Sequence, residues 1–320
     1  MTRMTRDQEQ QIMRLGSAAV EAALKGFTLE IDRAALVIAN GDEFAQVVKD
    51  AAASAINRLS VPIAYAKEEV KSKYNYPPEY TGTYEDGYRD EDTDPVTPIG
   101  VQICDLARTL DISQNESLRF ADQELPKFRL PDGAEGWFAI PKVEAIAARH
   151  FKNVTDPRER YRRSVLLLFD KLTRGRRLFG FSEERHLREN QVRQRARTVV
   201  MLERLGEVQK GDILIVPAQF GLRHSGRSVR RSEALLTSTE FGLGMLAVGA
   251  MTLTHSKRFK IEEQHSPYCA GDELSREGDE VFSYAPLFYS MGIGLFKCLH
   301  EPINRADPRF GAATGFLLSP

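Results

Sequence analysis

The stretch Phe241–Thr254, FGLGMLAVGAMTLT, constrains this chain more than any other. It is the longest apolar run and carries three glycines. It falls short of the ~18–20 residues a bilayer span needs. Read as a helix from Phe241 to about His255, it is apolar on every side, so it must lie inside a core. The glycines let other backbone approach it closely. Thr237 and Glu240 have the capping-box spacing that would start it. A buried helix needs a sheet or more helices around it. GDILIVPAQFG, residues 211–221, reads as a strand ended by Gly221, and FSYAPLFYS and GIGLFKCL read as two short aromatic strands.

The 320-residue chain divides by composition. Residues 1–73 read as a helical domain. Ile12, Leu15, Ala18, Ala19, Ala22 and Ala23 keep helical spacing, and a second helix spans about Asp42–Leu59. Small residues on such hairpins leave a homo-oligomer open. Residues 74–98 combine Pro, Gly, acids and five tyrosines, the pattern of a linker. Residues 99–204 form a mostly helical middle domain. A helix at Val101–Leu110, a turn at Asp111-Ile112-Ser113, a hairpin over Phe128–Pro141 and a helix at Lys142–His150 follow the order of a winged-helix module. Residues 205–320 form the last domain. The expected class is therefore α+β, an N-terminal helical region followed by a C-terminal mixed α/β domain.

Net charge is −1 overall, yet residues 149–204 hold 16 Lys/Arg against 7 Asp/Glu. That block makes nucleic-acid contact through 149–204, and a nucleic-acid-binding regulator working through 99–204, the alternative reading. Its aromatics are few and mostly on apolar faces, which weakens a stacking surface. Arg223, Arg227, Arg230 and Arg231 could bind an anion, but pairing with the acids of 271–280 is the preferred reading.

No enzymatic signature emerges. The histidines lack metal-ligand spacing, no phosphate loop follows a strand, and no cofactor or metal is expected. Asp272, Glu273, Asp279 and Glu280 read as a solvated acidic loop rather than a calcium site. Cys269 reads as a buried cysteine before a tight turn. Three cysteines without a CxxC pair and a polar start point to a reducing, cytoplasmic setting without membrane attachment.

The strings GDILIVPAQFGLRHSGRSVRR, EFGLGMLAVGAMTLTH, CAGDE, FSYAP and FGAATGFL resemble the variable proteins of diversity-generating retroelements. The likeness covers about 205–320. It implies a C-type lectin fold of the formylglycine-generating-enzyme type and a non-enzymatic protein. Variable positions would lie on one exposed face near the C-terminus. The matching segment is Leu287 to Arg309, between FSYAP and FGAATGF. The sole tryptophan, Trp137, lies outside this region, so the Gly-Gly-Ser-Trp signature of many such folds is missing. The reactive cysteine pair of the enzymes has no counterpart here.

The residues add their own pattern. Alternation sorts the segment into two rows, either of which could form the core, and the resemblance favours Gly294, Phe296 and Cys298 as the inward one. Tyr289, Met291, Ile293, Leu295, Lys297 and Leu299 would face out, rimmed by His300, Glu301, Asn304, Arg305 and Asp307. Leu287, Ser290, Ile303 and Arg309 complete the expected face. Its partner would be a protein or another macromolecule.

Overall fold

In a computed structural model of the protein, the described residues are Glu79, 95–175, 178–179, 187–188, 191–255, 266–275, 281–291 and 296–318. All belong to one compact unit, Ala64–Pro320. Apart from Glu79 and residues 95–98, the expected helical domain 1–73 and linker 74–98 lie outside the described residues.

The described chain begins with helices α1 (Ile99–Leu110) and α2 (Asn115–Gln123). Strand β1 (Gly136–Pro141) leads into α3 (Val143–His150) and α4 (Pro157–Arg174). Strands β2 (Leu178–Phe179) and β3 (Val192–Gln194) precede α5 (Ala196–Val208), β4 (Ile213–Gln219) and α6 (Val229–Leu235). Strand β5 (Glu240–Gly242) runs into α7 (Met245–Thr254). The chain ends in β6 (Ser266–Tyr268), β7 (Asp272–Leu274), β8 (Tyr284–Ser290), β9 (Phe296–Pro302), β10 (Phe310–Ala312) and β11 (Thr314–Phe316). The fold is α+β, as expected.

The strands make two sheets. One is antiparallel, in the order β1-β4-β11-β5. The other has β8 at its centre, with β9 along one edge and β6 and β7 along the other. Helix α7 packs on α1, α4 and β1. Every residue from Met245 through Thr252 is buried, as its apolar surface demands. At Gly249 a Cβ would come within 2.9 Å of Leu168 Cδ2, so α4 reaches α7 only because that side chain is missing. From α4, Phe169 meets Phe288 of β8 edge-on, with ring centroids 5.5 Å apart.

The expected boundary at 204/205 falls inside one hydrophobic core, which runs from Ile103 to Ala313. The expected hairpin over 128–141 does not form. Instead β1 pairs with β4 along its whole length, from Gly136↔Ala218 to Pro141↔Ile213. A strand with an apolar face needs a partner of matching pattern, and β4, buried throughout, offers one. The winged-helix reading loses its wing by this pairing. Helix α1 is tied to the sheet by Gln102, whose amide donates to Trp137 O and accepts from Ala139 N–H, both at 2.9 Å.

Strand β11 covers only the end of β4, at Gln219 and Ala218. Side chains satisfy part of the remaining edge. The Gln209 amide accepts from Ile215 N–H at 2.7 Å and donates to Ile215 O at 2.9 Å. The Ser117 hydroxyl does the same for Ile213, at 3.1 and 2.8 Å.

Helix α4 starts as its sequence dictates. Asp156 caps it by accepting from Arg158 and Glu159 N–H, and Pro157 takes the first helical position. The helix at 241 does not start where expected. Glu240 and Phe241 are in β5, and α7 begins after Gly244. No side chain local to that turn caps it. Asp272, remote in sequence, does so instead.

Candidate functional site

The expected face, 287–309, lies on β8, β9 and the return that follows. Their ladder is antiparallel, with Leu287↔Leu299, Phe288↔Cys298 and Tyr289↔Lys297 opposite each other. Phe288, Phe296 and Cys298 are buried in the main core, matching the inward parity expected for the last two. The opposite row is not wholly exposed. Leu287 is fully buried in a second, smaller core with Val229, Tyr268, Ala285, Phe310 and Ala312. This corrects its placement on the face. Strand β8 is sandwiched between two cores, so alternation along it separates two interiors rather than inside from outside. Tyr289, Leu299 and Ile303 are half-buried and rest on that second core.

What remains outward is Lys297, Met291 at 36% exposure, and Arg305. His300, Glu301, Asn304, Asp307 and Arg309 are half-buried. Glu301 accepts from Arg305 at 2.6 Å, and Asp307 pairs with Arg309 at 3.0 Å. The return itself is anchored through its backbone. Ile303 N–H donates to Ser283 O, and Arg230 N–H donates to Ile303 O. Ile293, Leu295 and Gly294 lie outside the described residues, and Ser290 is described only by its pairing with Phe296.

A different corner of the molecule was missed by sequence reasoning. Asp272 opens β7 with no solvent exposure, where a solvated loop acid was expected. Its Oδ2 accepts from the Tyr161 hydroxyl at 2.6 Å and from Met245 N–H, at the start of α7, at 2.7 Å. Among the described residues its Oδ1, also buried, has no partner. Burial pushes the carboxyl up to about 7, against the Met245 and Tyr161 bonds that hold it down. Gly244 is what admits it, because a Cβ there would sit 2.5 Å from Asp272 Oδ1 and 2.6 Å from the Tyr161 hydroxyl.

Tyr161 and Gly244 also line a cleft of about 320 Å³ between α5, the start of α7 and the β1–α3 junction. Its floor is apolar, with Ile140, Leu214, Leu246 and Ala247 all buried. Val199 and Leu202 of α5 form a wall, and Lys142, Gln194, Glu144 and Glu203 supply polar groups. Val199 and Leu202 stand at helical spacing in α5, a pattern that packing alone would also produce, so the sequence does not mark this cleft.

Two of the clustered arginines meet acids outside 271–280. Arg223 reaches Glu240 at 3.2 Å, and Arg230 pairs with Glu79. Glu273, one of the described acids of that segment, pairs with Arg193 and Arg195. Glu240 is fully buried and also accepts from His224 at 2.9 Å and from Thr314 at 2.8 Å. Burial, the largest single effect on Glu240, pushes its carboxyl up; the His224, Arg223 and Thr314 contacts together outweigh it and hold it below the usual range. Burial keeps His224 below the usual histidine range.

Three arginines of the basic segment are engaged within the fold. Arg162 is buried against Glu159 and Leu187 O, Arg160 donates to Val154 O, and Arg197 donates to Glu240 O. Cys269 and Cys298 are free and buried, and burial pushes both thiols up, Cys298 to about 12. A thiol so placed keeps its proton near neutrality and is a poor nucleophile. Among the described residues no cluster of His, Cys, Asp and Glu could hold a metal ion. No helix among them is long and apolar enough to cross a membrane.

No protein-family model, curated protein or solved structure matches this chain.

Proposed function

We propose that this chain is a non-enzymatic binding protein that presents side chains of β8, β9 and the 303–309 return to a protein partner. The reading follows the resemblance to the variable proteins of diversity-generating retroelements, and it places the protein in the cytoplasm. One observation carries it. The backbone of this segment is held by the β8–β9 ladder and by bonds from Ser283 and Arg230, while Lys297, Met291 and Arg305 project outward. Side chains that the fold does not use can change without loss of the fold. The displayed set is narrower than the whole segment, because Leu287 belongs to a core.

The test is a library randomised at Met291, Lys297, Asn304 and Arg305, sorted for protease resistance. Most members are expected to fold as well as the parent. If resistance is confined to the parental residues, the face is structural and the reading fails. The retroelement origin has its own test. A near-copy of codons 287–309 beside a reverse-transcriptase gene is expected in the source genome, and a complete genome with neither removes it.

A further inference from the structure

We propose that the cleft between α5, α7 and the β1–α3 junction binds a small monocarboxylate with an apolar body, its carboxylate on the Lys142 ammonium and its body between Leu202, Leu246 and Ile140. This site shares no residue with the β8–β9 face and stands independently of it.

The size fits. A cleft of about 320 Å³ lies at the lower end of the ~300–1,000 Å³ found for small-molecule sites, and its apolar floor with few polar groups is their usual composition. The floor is fixed by the core, since Leu246 and Ala247 lie on buried α7 and Ile140 and Leu214 lie on the paired strands β1 and β4. A bound apolar body would therefore meet a preformed surface.

The charge of the ligand follows from Lys142. Its ammonium has three donors and spends one on Gln209 O, at 2.6 Å. Among the described residues no carboxylate lies within ion-pair distance of it. Burial holds its amine below the usual lysine range, with Lys210 adding to this and Glu144 and Asp212 opposing it. A half-buried ammonium with donors to spare lacks an acceptor, and a carboxylate supplies one through a charge-assisted bond. Gln194, which carries a side-chain amide, lines the same cleft. Glu144 and Glu203 are exposed at the rim, where solvent screens them. They tolerate one negative charge beside Lys142 but repel a polyanion, so a nucleotide or polyphosphate does not fit.

The experiment titrates the full chain, by calorimetry and by ligand-observed NMR, with three probes that share one body: 3-phenylpropionate, 3-phenylpropanol and 3-phenylpropylamine. The carboxylate is expected to bind at least about tenfold more tightly than the other two. Lys142→Met should bring the carboxylate down to the level of the alcohol, and Lys142→Arg, which keeps the charge, should retain binding. Leu202→Trp, which fills the cleft from the half-buried wall, should abolish binding of all three. The circular dichroism of each variant shows that it is folded. Equal binding of the three probes, tighter binding of the amine, no binding by any at about 10 mM, or a carboxylate affinity unchanged in folded Lys142→Met each overturns the proposal.

Discussion

The β8–β9 face and the Asp272 corner are both built on short strands of the same sheet, yet they use polar residues in opposite ways. On the face, Lys297 and Arg305 reach solvent from a backbone that stands without them. At the corner, Asp272 caps α7 from 27 residues away and holds Tyr161 of α4 to β7. The first arrangement leaves side chains free to recognise something else. The second commits them to the fold, and a change there alters how three elements meet. Exposure alone does not make the difference. It lies in whether a side chain supplies a bond that the backbone lacks.

That contrast can be broken most sharply in the layer beneath the face. Phe288→Ala removes a ring buried between Phe169 and Phe296 and is expected to cost about 3–5 kcal/mol in urea unfolding. Leu287→Ala empties part of the second core and should cost about 2–5 kcal/mol, and a cost near zero would return Leu287 to the surface.

Asp272 provides the next test, through pH. Its carboxyl is raised from 3.8 to about 7 in the fold, so the native state keeps a proton that the unfolded chain releases. This group therefore stabilises least at high pH. Its effect on stability is absent below about pH 4, grows unfavourable as pH rises to 7, and levels off above. Asp272→Asn keeps an acceptor oxygen and cannot ionise. It is expected to match the parent near pH 4 and to be more stable at pH 8, by an amount on the order of 4 kcal/mol. Urea midpoints at the two pH values check this, and a parallel pair of curves would mean that Oδ1 has water or another partner.

Tyr161→Phe deletes the hydroxyl that Asp272 accepts and should cost about 1–2 kcal/mol, with the pH dependence of Asp272 displaced upward. The smallest effects belong to the face. Lys297→Ala and Arg305→Ala are each expected to stay within about 0.5 kcal/mol of the parent, and a larger loss at either would erase the contrast with the corner.

Part of the fold is legible in the amino-acid sequence. An apolar run with polar residues excluded from every side can only be buried, and α7 is. Strands β4, β8 and β9 follow from short runs rich in β-branched and aromatic residues, and that Phe296 and Cys298 share one face follows from alternation. Which row of β8 meets water is not legible, because period 2 sorts residues into two faces without saying what covers each. The domain division at 204/205 fails for a related reason. Composition shifts there, but the pairing of Gly136–Pro141 with Ile213–Gln219 joins segments more than seventy residues apart, and such pairing leaves no local mark.

Sequence by itself determined that the apolar run ending at Thr254 holds a buried helix and that the runs around β4, β8 and β9 are strands, because side-chain chemistry repeats with the period of the backbone. Only the tertiary structure decided that Asp272 in the stretch CAGDE is a buried cap and that Lys142 faces a cleft. Burial of a charged group is set by what other segments bring to it. For Asp272 those are Gly244, Tyr161 and the first N–H of α7, none of them its neighbours in the chain.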